Sequence, residues 1–189
     1  MADDTRTMRQ RMLAGEPYLA DDPELNRAAH RARTLCHRLN TMEPDDDARR
    51  ALLIALLGAF GADSTIRPPL HCDYGSHTRV GARTFVNVGL VCLDVAPVTI
   101  GDDVQIGPYV QLLAARHPLA AGARRDKWES ARPVTIGDNV WLGGGVTVCP
   151  GVSVGADTVV GAGAVVTRDL SPGVLAVGVP ARVVRDLPA

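Results

Sequence analysis

Ile136-Gly137-Asp138-Asn139-Val140-Trp141, Leu142-Gly143-Gly144-Gly145-Val146-Thr147, Val148-Cys149-Pro150-Gly151-Val152-Ser153, Val154-Gly155-Ala156-Asp157-Thr158-Val159 and Val160-Gly161-Ala162-Gly163-Ala164-Val165 line up as successive hexapeptides. Column one is always aliphatic, column two is Gly in four rows of five, and column five is small (Val140, Val146, Val152, Thr158, Ala164). A strict period of six fits neither a helix of about 3.6 residues per turn nor a hairpin meander. It is the mark of a parallel β-helix, in which each six is one short strand plus one turn and three sixes close a triangular coil. The aliphatic side chain of column one points into the prism, and only a small side chain fits beside it at column five. Gly, Asp and Asn between them supply turns with positive φ or side-chain hydrogen bonds. The β-branched strands stack so that their backbone groups pair with the coils above and below. A Gly-rich linker would not keep column one apolar. The spacing does not fix the hand of the winding.

Working outward, Ile100-Gly101-Asp102-Asp103-Val104-Gln105 and Ile106-Gly107-Pro108-Tyr109-Val110-Gln111 are two further sixes. Val80 to Phe85 and Val86-Asn87 follow the pattern imperfectly. Between the two blocks, Ala114 to Arg132 has no aliphatic series and carries most of the local charge. A segment thrown out of an otherwise regular coil, here at about 113–133, reads as a functional loop. After Val166 the pattern continues loosely to Val174, and Gly178-Val179-Pro180-Ala181-Arg182 leads into a short basic tail.

The amino-terminal third reads as helical. Thr5 to Ala14 places Met8, Met12 and Leu13 at helical spacing and ends at Gly15-Glu16-Pro17. Asp22-Pro23-Glu24 is a helix start, with Asp as N-cap and Pro in the first turn. Glu24 to Asn40 then sets Leu25, Ala28, Ala32, Leu35 and Leu39 on one stripe. Pro44 to Asp47 interrupts, and the apolar run Ala51 to Phe60 reads as a third helix, closed by Gly61-Ala62-Asp63. The predicted organisation is a helical cap over 1–63 and a β-helix over 64–189.

With 189 residues the chain has room for one domain and a small accessory piece. Hydrophobic residues make up 46% but aromatics only 4%, which suits a narrow prism filled by Val, Ile, Leu and Ala. A formal charge of −1 does not point to a polyanionic partner. Cys36, Cys72, Cys92 and Cys149 show no zinc or disulfide spacing, so a reduced, cytoplasmic setting is the expectation. The amino terminus lacks a signal-peptide apolar region, and no apolar run is long enough to span a bilayer.

Of the five histidines, His30 and His37 fall on a predicted helix, and His71 and His77 flank Cys72-Asp73-Tyr74-Gly75. His117 stands at the mouth of the extruded loop, where an imidazole can serve as general base or as an ordinary polar loop residue. Glu129, in the same loop, can hold that imidazole or be a solvated acid.

The hexapeptide block, Leu13-Ala14-Gly15-Glu16-Pro17-Tyr18, Asp22-Pro23-Glu24-Leu25, Asp73-Tyr74-Gly75, Leu93-Asp94, His117-Pro118 and Pro133 to Trp141 together resemble the maltose and galactoside O-acetyltransferases. The likeness runs from about Met12 to Arg185. It implies a mainly β fold, a left-handed parallel β-helix with an N-terminal α-helical cap. It also implies transfer of an acetyl group from acetyl-CoA to a sugar hydroxyl, and a homotrimer with active sites between neighbouring prisms.

Residue by residue, His117 matches the catalytic histidine and Asn87 an asparagine beside the acceptor hydroxyl. Asp73 and Asp94 match acceptor-side positions, as does the Asp21-Asp22 pair, and Glu129 joins them as a loop acid. Gly144, Ala162, Thr167, Arg168, Arg182 and Arg185 match positions lining the coenzyme groove, with Trp141 on an outward position nearby. Such a site transfers directly, with no metal and no acyl-enzyme, since none of the Cys residues is placed for one. Val88, Gly89 and Val95 stand where relatives often carry aromatic or polar residues, which leaves the acceptor open. Three readings compete: an acyltransferase with a non-sugar acceptor, a γ-class carbonic anhydrase-like protein built around three zinc-bound histidines, and a non-catalytic β-helix.

Overall fold

The computed structural model of the chain describes residues 5–43 and 45–188; Pro44, read above as an interruption, lies outside them. Helix α1 (Met8–Leu13) opens with a capping box, in which the Thr7 hydroxyl accepts from the Gln10 N–H and the Gln10 side chain accepts from the Thr7 N–H. Helix α2 (Pro23–Thr41) starts as predicted, the Asp22 carboxylate accepting from the N–H groups of Glu24 and Leu25. Its stripe packs inward, with Leu25, Ala32, Cys36 and Leu39 buried and Ala28 and Leu35 partly so.

The third predicted helix needs correction. Helix α3 (Asp46–Leu56) stops short of Phe60, and Ala59–Phe60 is the first strand of the solenoid, parallel to Arg79–Val80. At Gly58 the chain passes so close to the next coil that any side chain would run into the Ser76 carbonyl. That approach delivers the apolar run onto the coil instead of continuing the helix. The cap is fastened to the coil by Asn40, whose amide donates to the Leu70 carbonyl and accepts from the Leu70 N–H, both at 2.9 Å.

From Ala59 the chain winds as a solenoid of parallel strands with three faces. The first face holds Ala59–Phe60, Thr78–Val80, Val98–Ile100, Val134–Ile136 and Ser153–Val154. The second runs from Thr65–Ile66 through Phe85–Val86, Gln105–Ile106, Trp141–Leu142 and Val159–Val160 to Val174–Val177, where Arg182–Asp186 folds back antiparallel. The third holds Leu70–Cys72, Leu90–Leu93, Gln111–Leu113, Thr147–Val148 and Val165–Val166.

Ile136 pairs with Val154 and Leu142 with Val160, so a coil here takes eighteen residues, three hexapeptides. Nearer the amino terminus Val80 pairs with Ile100 and Val86 with Ile106, twenty residues on. The first two corners do not account for the surplus: Phe85 follows Val80 at the same interval as Trp141 follows Ile136, and Val91 follows Val86 as Thr147 follows Leu142. All of the extra length lies at the third corner, between the third face and the first.

Column one is the core: Ile136, Leu142, Val148, Val154 and Val160 are buried, each contributing about 1.5–3 kcal/mol. Where column five is polar, its hydroxyl is satisfied from the adjacent coil. Ser64, Thr84 and Thr158 donate to the carbonyls of Gly81, Gly101 and Ser171 at 2.7, 2.8 and 2.9 Å. Among the described residues no helix is long and apolar enough to cross a membrane.

Candidate active site

The third corner gathers Asp73 to His77, Asp94 to Pro97 and the long outgrowth. Within the outgrowth Ala115–Arg116 pairs antiparallel with Trp128–Ala131, and helix α4 (Ala121–Arg125) lies between them. Trp128–Ala131 pairs on its other edge with Tyr18–Leu19 from the cap. The outgrowth is therefore held in a three-stranded sheet shared with the amino-terminal segment.

In that sheet Tyr18 stands opposite Glu129, and its hydroxyl donates to Glu129 Oε2 at 2.9 Å. The other carboxylate oxygen, Oε1, lies 3.9 Å from His117 Nδ1. His117 is 60% exposed and Glu129 22%, so a half-buried acid anchored from below faces an imidazole open to solvent. Burial, reinforced by the hydrogen bond to Glu129, raises the Tyr18 phenol above its ordinary value, which keeps it a donor.

Beside this pair the corner is acidic. Burial first, then the nearby Asp94 and Glu129, push the Asp73 carboxyl up to about 6. Burial and Asp73 likewise raise the Tyr74 phenol to about 12. Asp94, matched above to an acceptor-side position, is fully buried. One oxygen accepts from the Tyr74 N–H at 2.8 Å, and the other accepts from the Thr78 hydroxyl at 3.0 Å and the His77 N–H at 3.2 Å. A carboxylate so enclosed shapes the corner and offers no oxygen to solvent. Asp22 is half-buried, with one oxygen occupied as the N-cap of α2.

A second set assembles elsewhere. Asn87, Trp141, Gly144 and Ala162 line one groove of about 460 Å³ on the second face, with Phe85 and Pro108 among its other walls. Asn87 Oδ1 accepts from the Val88 N–H at 2.9 Å, which leaves its amide N–H groups for another partner. At the adjoining corner Gly145 and Gly163 take φ of 70° and 71°, where a Cβ would meet nothing within 4 Å, so the rim stays low.

His117 does not line this groove. Neither do Thr167 and Arg168, exposed after Val165–Val166 at the third corner, nor Arg182 and Arg185, exposed on the strand that edges the second face. Within one chain the structure brings His117, Glu129 and Asp73 to one corner and Asn87 with three of the groove residues to another. Tyr18 is the member that sequence reasoning missed: it falls in a quoted motif, but 111 residues separate it from Glu129. Among the described residues no three His, Cys, Asp or Glu side chains are grouped as a metal site requires.

The maltose acetyltransferase hexapeptide capping motif matches residues 11–61, and the bacterial transferase hexapeptide repeat matches residues 133–168. The chain is 35% identical to the galactoside O-acetyltransferase of Escherichia coli, over 95% of this chain and 89% of that protein. Among solved structures it resembles a maltose O-acetyltransferase from Clostridium difficile, with a TM-score of 0.96 and 37% identity over 98% of this chain and all of the other (100%). It also resembles a hexapeptide-repeat acetyltransferase of Vibrio cholerae complexed with acetyl coenzyme A, with a TM-score of 0.91 and 38% identity over 97% and 100% of the two chains. The cap, the coil and these whole-length likenesses agree, and the chain belongs to the maltose and galactoside O-acetyltransferase family of hexapeptide-repeat acetyltransferases.

Proposed function

We propose that this chain moves the acetyl group of acetyl-CoA directly to a hydroxyl of a sugar or glycoside, with His117 as general base. The observation that carries the proposal is the chain of contacts from Tyr18 through Glu129 to His117. A carboxylate beside Nδ1 favours the proton on that nitrogen and leaves Nε2 to accept one, and it faces the imidazolium that results. His117 takes the acceptor's proton as the acceptor oxygen bonds to the thioester carbonyl carbon. The C–S bond then breaks, and the proton leaves with the thiol. A base of this kind contributes about 10²–10⁴-fold.

The Asn87 amide is a donor for the developing oxyanion, and Gly144 and Ala162 leave room for a pantetheine arm beside Trp141. Thr167 and the guanidinium groups of Arg168, Arg182 and Arg185 are the groups for the anionic end of CoA. On the acceptor side Asp73 and Asp22 retain exposure, with Glu129 behind them. His117 and the groove occupy different corners of one chain, so this reading includes a homotrimer in which each histidine serves a neighbour's groove. Supporting it are the names of the relatives, which act as galactoside and maltose O-acetyltransferases, and the acetyl-CoA held by the Vibrio cholerae protein.

The test is thiol release from acetyl-CoA against a panel of sugars, glycosides and amines, beside His117→Ala and a sedimentation measurement. The variant is expected to lose about 10²–10⁴-fold in kcat. Equal rates would remove the base, transfer to amines alone would remove the sugar, and a catalytically competent monomer would remove the shared site.

A further inference from the structure

At the entry to the third corner, where α2 crosses the strand Leu70–Cys72, two thiols meet. Cys36 on α2 and Cys72 at the end of Leu70–Cys72 are free thiols with their sulfurs 3.5 Å apart. Their registration is fixed one helical turn on, where Asn40 makes its paired hydrogen bonds with Leu70. Sliding α2 along the strand would break both bonds, so the helix holds the sulfurs together. The pair opens on a pocket of about 370 Å³ whose other walls include Arg33, His37 and His71. The hydrogen bond from Cys72 lowers the Cys36 thiol below its ordinary value, against its burial, and the same bond together with burial raises Cys72. Cys36 is thus the sulfur that gives up its proton first, and the thiolate is the nucleophile of thiol chemistry.

We propose that Cys36 and Cys72 form a dithiol that closes into a disulfide, with a low-molecular-weight anionic disulfide as oxidant, and that closure staples α2 to the first coil. The Cys36 thiolate attacks one sulfur of the incoming disulfide, forming a mixed disulfide and expelling one thiolate. Cys72 then loses its proton, attacks Cys36 Sγ and expels the second thiolate. Two electrons pass from the protein sulfurs to the oxidant, and the two protons end on its thiols or in solvent. The sulfurs must close from 3.5 Å to a bond of about 2.05 Å. Arg33 beside the opening suits an oxidant that carries carboxylates. Because Cys72 immediately precedes Asp73, the staple also fixes the entry to the third corner.

The reduced full chain is incubated with excess oxidised glutathione, and free thiols are then titrated in denaturant and mapped by peptide mass spectrometry. The four thiols of the reduced chain should fall to two, with Cys36 and Cys72 in one cross-linked peptide. The melting temperature should rise by about 5–10 °C and return to its starting value in dithiothreitol. Cys149→Ser should still lose two thiols, and Cys36→Ser should form no internal link. Four surviving thiols, a link involving Cys92 or Cys149, a stable glutathione adduct without ring closure, or a cross-linked chain that melts no higher would each overturn the proposal. The map of the parent chain decides the matter even if Cys36→Ser does not fold, and none of these readouts depends on acetyl transfer.

Discussion

The Tyr18 hydroxyl, carried by the amino-terminal cap, donates at 2.9 Å to the carboxylate of Glu129 on the outgrowth, and so ties the cap to the residue that faces His117. Tyr18→Phe removes the donor and keeps the ring. A hydrogen bond from a neutral donor to a charged acceptor contributes about 1.5–3 kcal/mol, part of which water recovers at a half-buried acid. The expected result is a fall in kcat of about threefold to tenfold with KM for acetyl-CoA little changed, and a larger fall for Glu129→Ala. Steady-state kinetics that leave Tyr18→Phe equal to its parent would show the contact to be idle in turnover.

Asp94 satisfies three donors inside the third corner. Asp94→Ala strands the Tyr74 and His77 N–H groups and leaves the Thr78 hydroxyl only the weak Cys92 Sγ contact at 3.2 Å. Unsatisfied buried groups cost about 1–3 kcal/mol each, so a loss of roughly 3–5 kcal/mol is expected. Asp94→Asn, which keeps one acceptor, should lose about half as much. Urea unfolding of the two variants checks the order, and an alanine variant as stable as its parent would contradict the role.

Asp73 holds its proton more tightly in the folded chain, up to about 6, than an unfolded aspartate does at about 3.9. The native state therefore carries an extra proton between these values, and this residue's contribution to stability falls as pH rises through that window. Asp73→Asn stays neutral at every pH. It should melt above its parent at pH 7.5, and the gap should close towards pH 4. A gap that stays constant with pH would mean that the carboxyl titrates ordinarily.

Ala162 is exposed and lines the groove with Asn87 and Trp141. Ala162→Leu adds bulk outward, away from the core, so stability should change by no more than about 0.5 kcal/mol. If the groove takes acetyl-CoA, its KM should rise by about tenfold or more. An unchanged KM would place the coenzyme elsewhere.

What could be read from the sequence was whatever repeats or is local. Ile136, Leu142 and Val148 occupy the same inward position on successive faces, and Val154 and Val160 repeat it in the next coil, so the columns announce the prism. Asp22-Pro23 caps its helix with neighbouring N–H groups, so the start of α2 is visible in the chain itself. The remainder depends on contacts between distant segments. Ala59–Phe60 is apolar enough for a helix and becomes a strand because Arg79–Val80 lies alongside. Asp94 carries no mark of burial until Tyr74, His77 and Thr78 close around it. Cys36 and Cys72 show no spacing motif, since a helix and a strand bring them together.

The register gives this architecture a tolerance with a fixed address. Every strand-to-strand interval compared at the first two corners is the same, and the third alone absorbs anything from a tight turn at Cys149-Pro150-Gly151 to the whole excursion between Leu113 and Val134. A longer, shorter or foreign segment can be spliced there without re-registering the strands of the three faces, at the cost only of the small sheet that the outgrowth shares with Tyr18–Leu19. Loop exchange therefore changes what His117 and Glu129 are mounted on while the spacing of Asn87 and Ala162 is left as it was.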